Sequence, residues 1–296
     1  MNIYFIIAWR NLWRNSRRTL ITSASIFFGV FFAVFMSSLQ QGSFENMVDN
    51  MVRFYSGYIQ IQQADFKELK SINNSFIPDN ALEDLIRENN LITQSTNRIE
   101  TFALAGSETK SYPAMVFGMQ PENEESISGL SKWISEGKFI ETGSKDILIG
   151  KVLAENMNLK VSDSLVLIGQ GYHGISTAGI YKISGLLDFS LPDLSKQVLY
   201  MDLANCQEFL GLPVGQITSK VIMVSTPDQV EPTLLELKTD LNDDLAIYSW
   251  SDLQPELVSL IDGKTSSGKM VKSLLFMVIG FGVWATIIML MHERKR

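Results

Sequence analysis

The first stretch that could do chemistry is a glycine- and lysine-rich segment at residues 263–269. It reads Gly-Lys-Thr-Ser-Ser-Gly-Lys and fits the spacing G-x-x-x-x-G-K, in which backbone amides and a lysine cradle nucleotide phosphates. However, Met270 stands where such a loop carries the serine or threonine that holds magnesium. The residues before it, 252–261, have a helical pattern instead of the required strand. We therefore predict no nucleotide site here and interpret the segment as a flexible hinge.

Histidine and cysteine chemistry is sparse. His173 and His292 are the only histidines and lie 119 positions apart, which excludes a histidine-based triad or metal site within the chain. His292 and Glu293 form only a part of the H-E-x-x-H motif of zinc proteases. Cys206 is the single cysteine, so no intrachain disulfide forms, and we interpret it as a small buried residue. We expect no bound metal or cofactor and no enzymatic activity.

A glycine-rich stretch at residues 169–179 is more informative. Its eleven residues include four glycines and lie between two strand-like runs, which predicts an extended hairpin tip. Side chains at such a tip are exposed on a rigid scaffold, where contacts with partners are often made. The candidate contact residues are Gln170, Tyr172, His173 and Ile175. The alternative is a turn with no special role.

Two uncharged stretches predict membrane-spanning helices. Residues 19–39 and 273–291 run for 21 and 19 positions without a charged side chain, and about 20 helical residues cross a bilayer. The first stretch exceeds the apolar core of a cleaved signal peptide, and no small-residue cleavage site follows it. The flank at residues 1–18 holds four arginines and predicts a cytoplasmic amphipathic segment. Alternatively, this flank only extends the first helix.

The charge distribution separates the ends of the chain from its middle. Residues 40–272 carry 18 Lys/Arg and 31 Asp/Glu, whereas the two ends together carry 7 Lys/Arg and one acid. Positive flanks on both spanning helices predict that both ends are cytoplasmic and that the middle is extracytoplasmic. An acidic domain lacks the basic face that binds nucleic acid, so we expect no nucleic-acid partner.

The middle segment is predicted to be a mixed α+β domain. Short strand-like runs and helical patterns alternate irregularly along residues 40–272. Both ends of this segment join membrane helices. We therefore expect about residues 40–105 and 205–265 to be membrane-proximal, and about 106–204 to be an inserted distal part. A helical pattern continues past Leu39 as far as Gly57, so the first helix is predicted to be a long lever into this domain.

Several motifs together resemble one family of membrane proteins. Residues 8–12 read A-W-R-N-L and are followed by arginines and a threonine at positions typical of MacB/FtsX-like ABC-transporter permeases. Residues 147–154, I-L-I-G-K-V-L-A, resemble an internal segment of the same family. The block Y-S-G-Y-I-Q-I at residues 55–61 is similar to the lipoprotein-releasing LolC/LolE branch.

The resemblance implies a mechanotransmission device in the bacterial inner membrane, with a periplasmic domain that has a porter-like part and an inserted strand-rich part. It implies a separate cytoplasmic ABC ATPase that uses ATP, a second permease subunit in a homo- or heterodimer, and contact with membrane lipids. It also implies a periplasmic lipoprotein carrier or an adaptor as partner. Glu293 and Arg294 match the start of the family's ATPase-coupling element at residues 292–296.

Other functions stay open at this point. Family permeases have four spanning helices and this sequence ends after the second, so we expect a truncated product, a fragment or half of a split permease. Within the class, the alternative is a MacB-like exporter of macrolides, peptides or toxins. From another class, a membrane-anchored extracytoplasmic sensor or binding protein has the same two-helix arrangement. A membrane-anchored hydrolase is less well supported, because no catalytic constellation was found.

Overall fold

A computed structural model describes residues 16–189 and 192–293, together with Ile3, Trp9, Arg10 and Trp13. The helices are α1 (Ser16–Met51), α2 (Phe66–Leu69), α3 (Asn80–Glu88), α4 (Pro121–Ser128), α5 (Lys151–Met157), α6 (Pro192–Ser195), α7 (Leu203–Leu210), α8 (Val230–Asp240), α9 (Trp250–Leu253) and α10 (Pro255–Glu293). The strands are β1 (Ile59–Gln63), β2 (Ile92–Gly106), β3 (Ser111–Met119), β4 (Ile134–Gly137), β5 (Ile147–Gly150), β6 (Ser164–Gln170), β7 (Ser176–Leu187), β8 (Val198–Asp202), β9 (Ser219–Val224) and β10 (Leu245–Ser249).

The chain divides into two compact units. One contains the two long helices, and the other comprises residues 50–254, which we call the interhelical domain. The stretches Thr19–Ser56 and Pro255–Ala285 are long and apolar enough to cross a membrane. The fold class expected from the sequence, two such helices flanking an α+β domain, is confirmed. The predicted flank at residues 1–18 lies mostly outside the described residues.

The two long helices pack side by side as an antiparallel hairpin. Their less exposed residues recur every three or four positions, as in a coiled coil, and we call the α10 set the seam. From Ile261 onward, the seam consists of Ile261, Thr265, Gly268, Lys272, Leu275, Ile279 and Val283. Opposite it, α1 presents small residues such as Gly29, where an added Cβ would collide with the Ile279 side chain. Small side chains thus bring the two helices close together.

The prediction of a flexible hinge at residues 263–269 is wrong, because α10 is helical throughout from Pro255. A Cβ at Gly268 would lie 2.5 Å from Oε1 of Gln40, so the glycine makes room for that side chain. Gln40 Nε2 donates to the Lys264 carbonyl at 2.8 Å. Packing on α1 therefore compensates for the low helix propensity of this segment.

Part of the interhelical domain is a split β-α-β arrangement. Strands β1 and β2 are connected through α3, strands β9 and β10 through α8, and the sheet order is β10-β1-β9-β2 with antiparallel neighbours. All residues between β2 and β9 are inserted into this motif. The pairing places β2 in both parts, so the predicted division near residues 105 and 205 stays a prediction.

The inserted residues and β2 close a ring of strands. Among the described residues, six strands pair in the circular order β2-β3-β8-β5-β7-β6 and back to β2. The apolar side chains that point inward form the main core together with α5 and α7. Cys206 of α7 is buried there, against Gly118 of β3, where an added Cβ would come within 2.8 Å of the sulfur. Burial raises the pKa of the Cys206 thiol, with a smaller contribution from Asp202.

A buried ion pair connects β2 to α4. Arg98 Nε and Nη2 donate to the two carboxylate oxygens of Glu124 at 2.9 and 2.5 Å. Both side chains are inaccessible to solvent, with 0% and 1% exposure. Such a pair gives geometric specificity, because either charge left alone in the interior would be strongly unfavourable.

The buried position of Cys206 predicts a protected thiol. At pH 8 we expect maleimide to label Cys206 at least about 100-fold more slowly in the folded chain than in denaturant. The folded chain shields the thiol from the reagent and keeps it protonated, whereas maleimide reacts with the thiolate. Because the pKa of Cys206 is raised in the folded chain, burial of the protonated thiol contributes fully to the free energy of unfolding below the pKa of the unfolded thiol. This contribution decreases as the pH rises above that pKa. Val214→Cys, at a position 91% exposed, provides a fast-labelling control. Equal rates with and without denaturant would contradict this packing.

The Arg98–Glu124 pair predicts asymmetric mutational costs. Arg98→Met leaves a buried carboxylate without its cation, so we expect the free energy of unfolding to fall by about 3–5 kcal/mol. The double variant Arg98→Met/Glu124→Met should recover most of that loss. Lys145→Met, which breaks an exposed pair with Glu208, is the control and should change little. The measurement is denaturant unfolding of the purified chain, followed by tryptophan fluorescence. A double variant as unstable as Arg98→Met would refute the interpretation.

Candidate coupling joint and partner hairpin

The end of the first helix widens into a single π-helical turn. Residues Val52–Ser56 follow α1, and Gly57 N donates back to the Val52 carbonyl at 2.6 Å. Gly57 has φ 68°, and a Cβ there would collide with the Val221 side chain, so glycine is required to end the helix. π-turns of this kind are uncommon and often occur at functional sites. We call Val52–Ser56 together with the side chains that bind it the coupling joint.

Side chains of the interhelical domain bind the carbonyls of this turn. Arg98 Nη1 donates to the Tyr55 carbonyl at 2.6 Å, and the Tyr200 hydroxyl donates to the Phe54 carbonyl at 3.1 Å. The Phe54 ring lies 5.3 Å from Trp133 and 5.0 Å from Phe189, measured between centroids. The turn is therefore attached to the rest of the interhelical domain by two hydrogen bonds and an aromatic cluster.

The electrostatics keep both donors in their donating forms. Burial by itself would lower the pKa of Arg98, but the Glu124 carboxylate outweighs it and the pKa is raised, so the guanidinium stays charged. Burial also raises the pKa of Tyr200, which keeps its hydroxyl proton. Both groups therefore keep the protons that they donate to the turn. The sequence contained one signal for it, an arginine in an otherwise strand-like run at residues 97–105.

The structure places the predicted contact residues at the tip of the β6–β7 hairpin. The loop spans residues 171–175, closed by a hydrogen bond from Gly171 N to the Ile175 carbonyl at 2.7 Å. It is shorter than the expected eleven residues, because both strands extend farther toward the tip. His173 has φ 55°, and its amide donates to Asn73 Oδ1 at 2.7 Å. This bond connects the tip to the loop after α2.

The four predicted contact residues differ in exposure. Gln170, His173 and Ile175 are exposed, Ile175 at 63%, and lie close together. Tyr172 is half-buried, packs against the main core and lies against His173 with ring centroids 3.9 Å apart. Its ring therefore supports the tip, and the accessible contact atoms belong to the other three residues.

A shallow apolar groove beside the hairpin was not predicted from the sequence. Phe102 and Leu104 of β2 and Ile168 of β6 lie on the outer face of the ring and are exposed at 54%, 42% and 48%. With Gln170 and neighbouring residues they line a groove of about 470 Å³. The sequence contains a pattern that indicates this surface, since residues 102–105 of β2 alternate large apolar side chains on the outer face with small ones on the inner face.

The remaining predicted residues are placed as follows. Glu293 is the last residue of α10, and Arg294 lies outside the described residues. Over the part of the chain that the structure describes, no group of three or more His, Cys, Asp or Glu side chains could hold a metal ion.

Comparison with known proteins gives a family for most of the chain. The sequence model of the family described as "MacB-like periplasmic core domain" matches residues 19–238. None of the curated proteins that were compared matches the chain.

Solved structures with a similar arrangement come from bacterial transporters. One is the extracellular domain of the noncanonic ABC-type transporter YknZ from Gram-positive bacteria, with 13% identity, TM-score 0.44, and coverage of 64% of this chain and 99% of that one. Another is the periplasmic region of MacB from Actinobacillus actinomycetemcomitans, with 11% identity, TM-score 0.45, and coverage of 70% and 95%. Because the family match covers residues 19–238, this protein belongs to the MacB-like periplasmic core domain family of MacB/FtsX-like ABC-transporter permeases.

Proposed function

We propose that the chain is a permease subunit that works by mechanotransmission, in a complex with a separate cytoplasmic ATPase. ATP is bound and hydrolysed by that partner, and this chain binds no nucleotide or other cofactor and catalyses no reaction. The observation that carries the proposal is the coupling joint. A long helix ends in a turn whose carbonyls are held by buried side chains of the domain.

The joint is suited to transmitting displacement. Helix α1 has 36 residues, about 54 Å at 1.5 Å per residue. Its continuation into Val52–Ser56 is bonded to Arg98, and Arg98 belongs to β2. Because β2 belongs both to the split β-α-β sheet and to the ring, a movement of the turn acts on both parts through one strand. Because the core is closely packed, it transmits such a movement and does not deform locally around the turn.

The proposal assigns the far ends of the long helices to the partner subunits. Glu293 and Arg294 would contact the ATPase, and a second permease subunit, identical or related, would complete the membrane part. We place the complex in the bacterial inner membrane, with the N-terminus in the cytoplasm and the interhelical domain in the periplasm. The arginines before Thr19 support this orientation.

For the substrate we propose lipoproteins, released from the membrane to a periplasmic carrier. The groove formed by Phe102, Leu104 and Ile168 supports this, because an exposed apolar surface suits the transfer of acylated cargo. The exposed residues of the hairpin tip lie beside it and would contact the carrier. An exporter of macrolides, peptides or toxins would use a periplasmic adaptor instead.

The ATPase assignment predicts a specific loss of assembly. Co-expressed with an ATP-binding subunit of a MacB/FtsX-like transporter from the same organism, the chain should co-purify with that subunit, and the purified chain alone should hydrolyse no ATP. Glu293→Ala/Arg294→Ala should lower recovery of the complex at least about tenfold, because a charged docking contact is removed. Glu256→Ala, at the opposite end of α10, is the control. Hydrolysis by the chain alone, or equal recovery with both variants, would refute the assignment.

The substrate assignment predicts a role for the hairpin tip. His173→Ala/Ile175→Ser should weaken capture of a purified periplasmic lipoprotein carrier at least about tenfold, with unchanged thermal unfolding, because both side chains are exposed. The matched control is Val214→Ser, which removes a more exposed apolar side chain from another loop. Unchanged capture would exclude the tip as the contact. Capture of an adaptor and not of a carrier would favour the exporter.

A further inference from the structure

Lys272 is an unusual member of the seam between the two long helices. It is the one charged residue among the seven seam positions, and it is half-buried. Its Nζ donates to Ser37 Oγ of α1 at 2.8 Å. This ammonium group therefore donates to a neutral hydroxyl, which does not neutralise its charge.

The position of this contact along the helices corresponds to a lipid headgroup. From Thr19 to Ser37 the helix rises about 27 Å, close to the roughly 30 Å thickness of a hydrocarbon core. On α10, nineteen uncharged residues follow Lys272 directly. Both partners thus lie at the same boundary of the apolar stretch, on the side from which the chain continues into the interhelical domain.

The surrounding charges leave this boundary cationic. Lys269 is exposed three residues earlier on α10, where side chains of a helix are neighbours. The nearest carboxylates along the described helices are those of Glu45, eight residues beyond Ser37, and Asp262, ten residues before Lys272. These separations correspond to rises of about 12 Å along α1 from Ser37 and about 15 Å along α10 from Lys272. Glu45 accepts a hydrogen bond from Gln41 at 3.0 Å.

We propose that Ser37, Lys269 and Lys272 bind the phosphodiester group of a membrane lipid. Two ammonium groups provide charge-assisted donors, and the Ser37 hydroxyl, whose oxygen accepts from Lys272, retains its proton for a phosphate oxygen. A lysine at the edge of a membrane span extends its ammonium group to the interface, where lipid phosphate is an abundant anion. Toward the membrane centre, α10 exposes Phe276 and Met277, which provide a surface for the acyl chains. The site does not depend on the transported substrate.

The test uses the purified full chain in a neutral detergent and native mass spectrometry. Phosphatidylglycerol should bind, whereas diacylglycerol with the same acyl chains, which lacks the phosphate, should not. Lys272→Gln should weaken phosphatidylglycerol binding about tenfold, and Lys272→Arg should retain it because the charge is kept. The matched control is Lys264→Gln on the same helix, with the same change of charge about 12 Å from Lys272, which should leave binding unchanged.

Three results would overturn the proposal. Equal losses in Lys272→Gln and Lys264→Gln would mean that the overall charge of the helix attracts the lipid. Equal binding of diacylglycerol would mean that the acyl chains alone are recognised. Displacement of phosphatidylglycerol by millimolar inorganic phosphate would mean that the site takes a soluble anion. If Lys272→Gln fails to fold, as judged by circular dichroism, Ser37→Ala and Lys269→Gln carry the same comparison.

Discussion

The buried salt bridge between Arg98 and Glu124 is the interaction on which the rest of the interhelical domain depends. One guanidinium bonds both carboxylate oxygens of α4 and a carbonyl of the π-turn, and its own backbone belongs to β2. A buried cation requires such complete pairing, since its desolvation costs several kcal/mol. The same requirement that makes the pair costly to break makes its geometry specific. The π-helical turn, a strand and a surface helix of the interhelical domain are thereby held in one arrangement.

The membrane hairpin follows a different physical rule. Its helices are held together by small residues on α1, a regular seam on α10, and hydrogen bonds such as those of Gln40 with Lys264 and of Lys272 with Ser37. In a bilayer, apolar side chains gain little from each other beyond what lipid tails already offer, so close approach and a few hydrogen bonds determine the packing. The structure of the interhelical domain thus depends on the burial of its side chains, whereas the packing of the two long helices depends on how closely their surfaces fit.

Much of this arrangement was predictable from residue patterns, and the exceptions have physical causes. The spanning helices and the α+β class followed from the uncharged stretches and irregular alternation. The first seven residues of β2, Ile92–Arg98, carry little strand signal because they are mostly polar; only Thr96 and Arg98 among them are buried. Helix α4 was missed because six of its eight residues are polar, although Pro121 marks its start. The hinge at residues 263–269 was wrongly predicted because the helix propensity of these residues takes no account of their packing against α1. The exposed hairpin tip was predictable from its glycines, but the groove beside it depends on which strands become neighbours.

The shared strand β2 also constrains how this protein can evolve. Its residues pair with β9 at one end, with β3 and β6 at the other, and carry Arg98 between them. Because side chains alternate along a strand, gain or loss of one residue here would turn inward-facing positions outward in the sheet or the ring. Changes of length are therefore confined to connections such as the loop at residues 171–175. New specificities in this architecture would arise by remodelling hairpin tips while the length of β2 is kept.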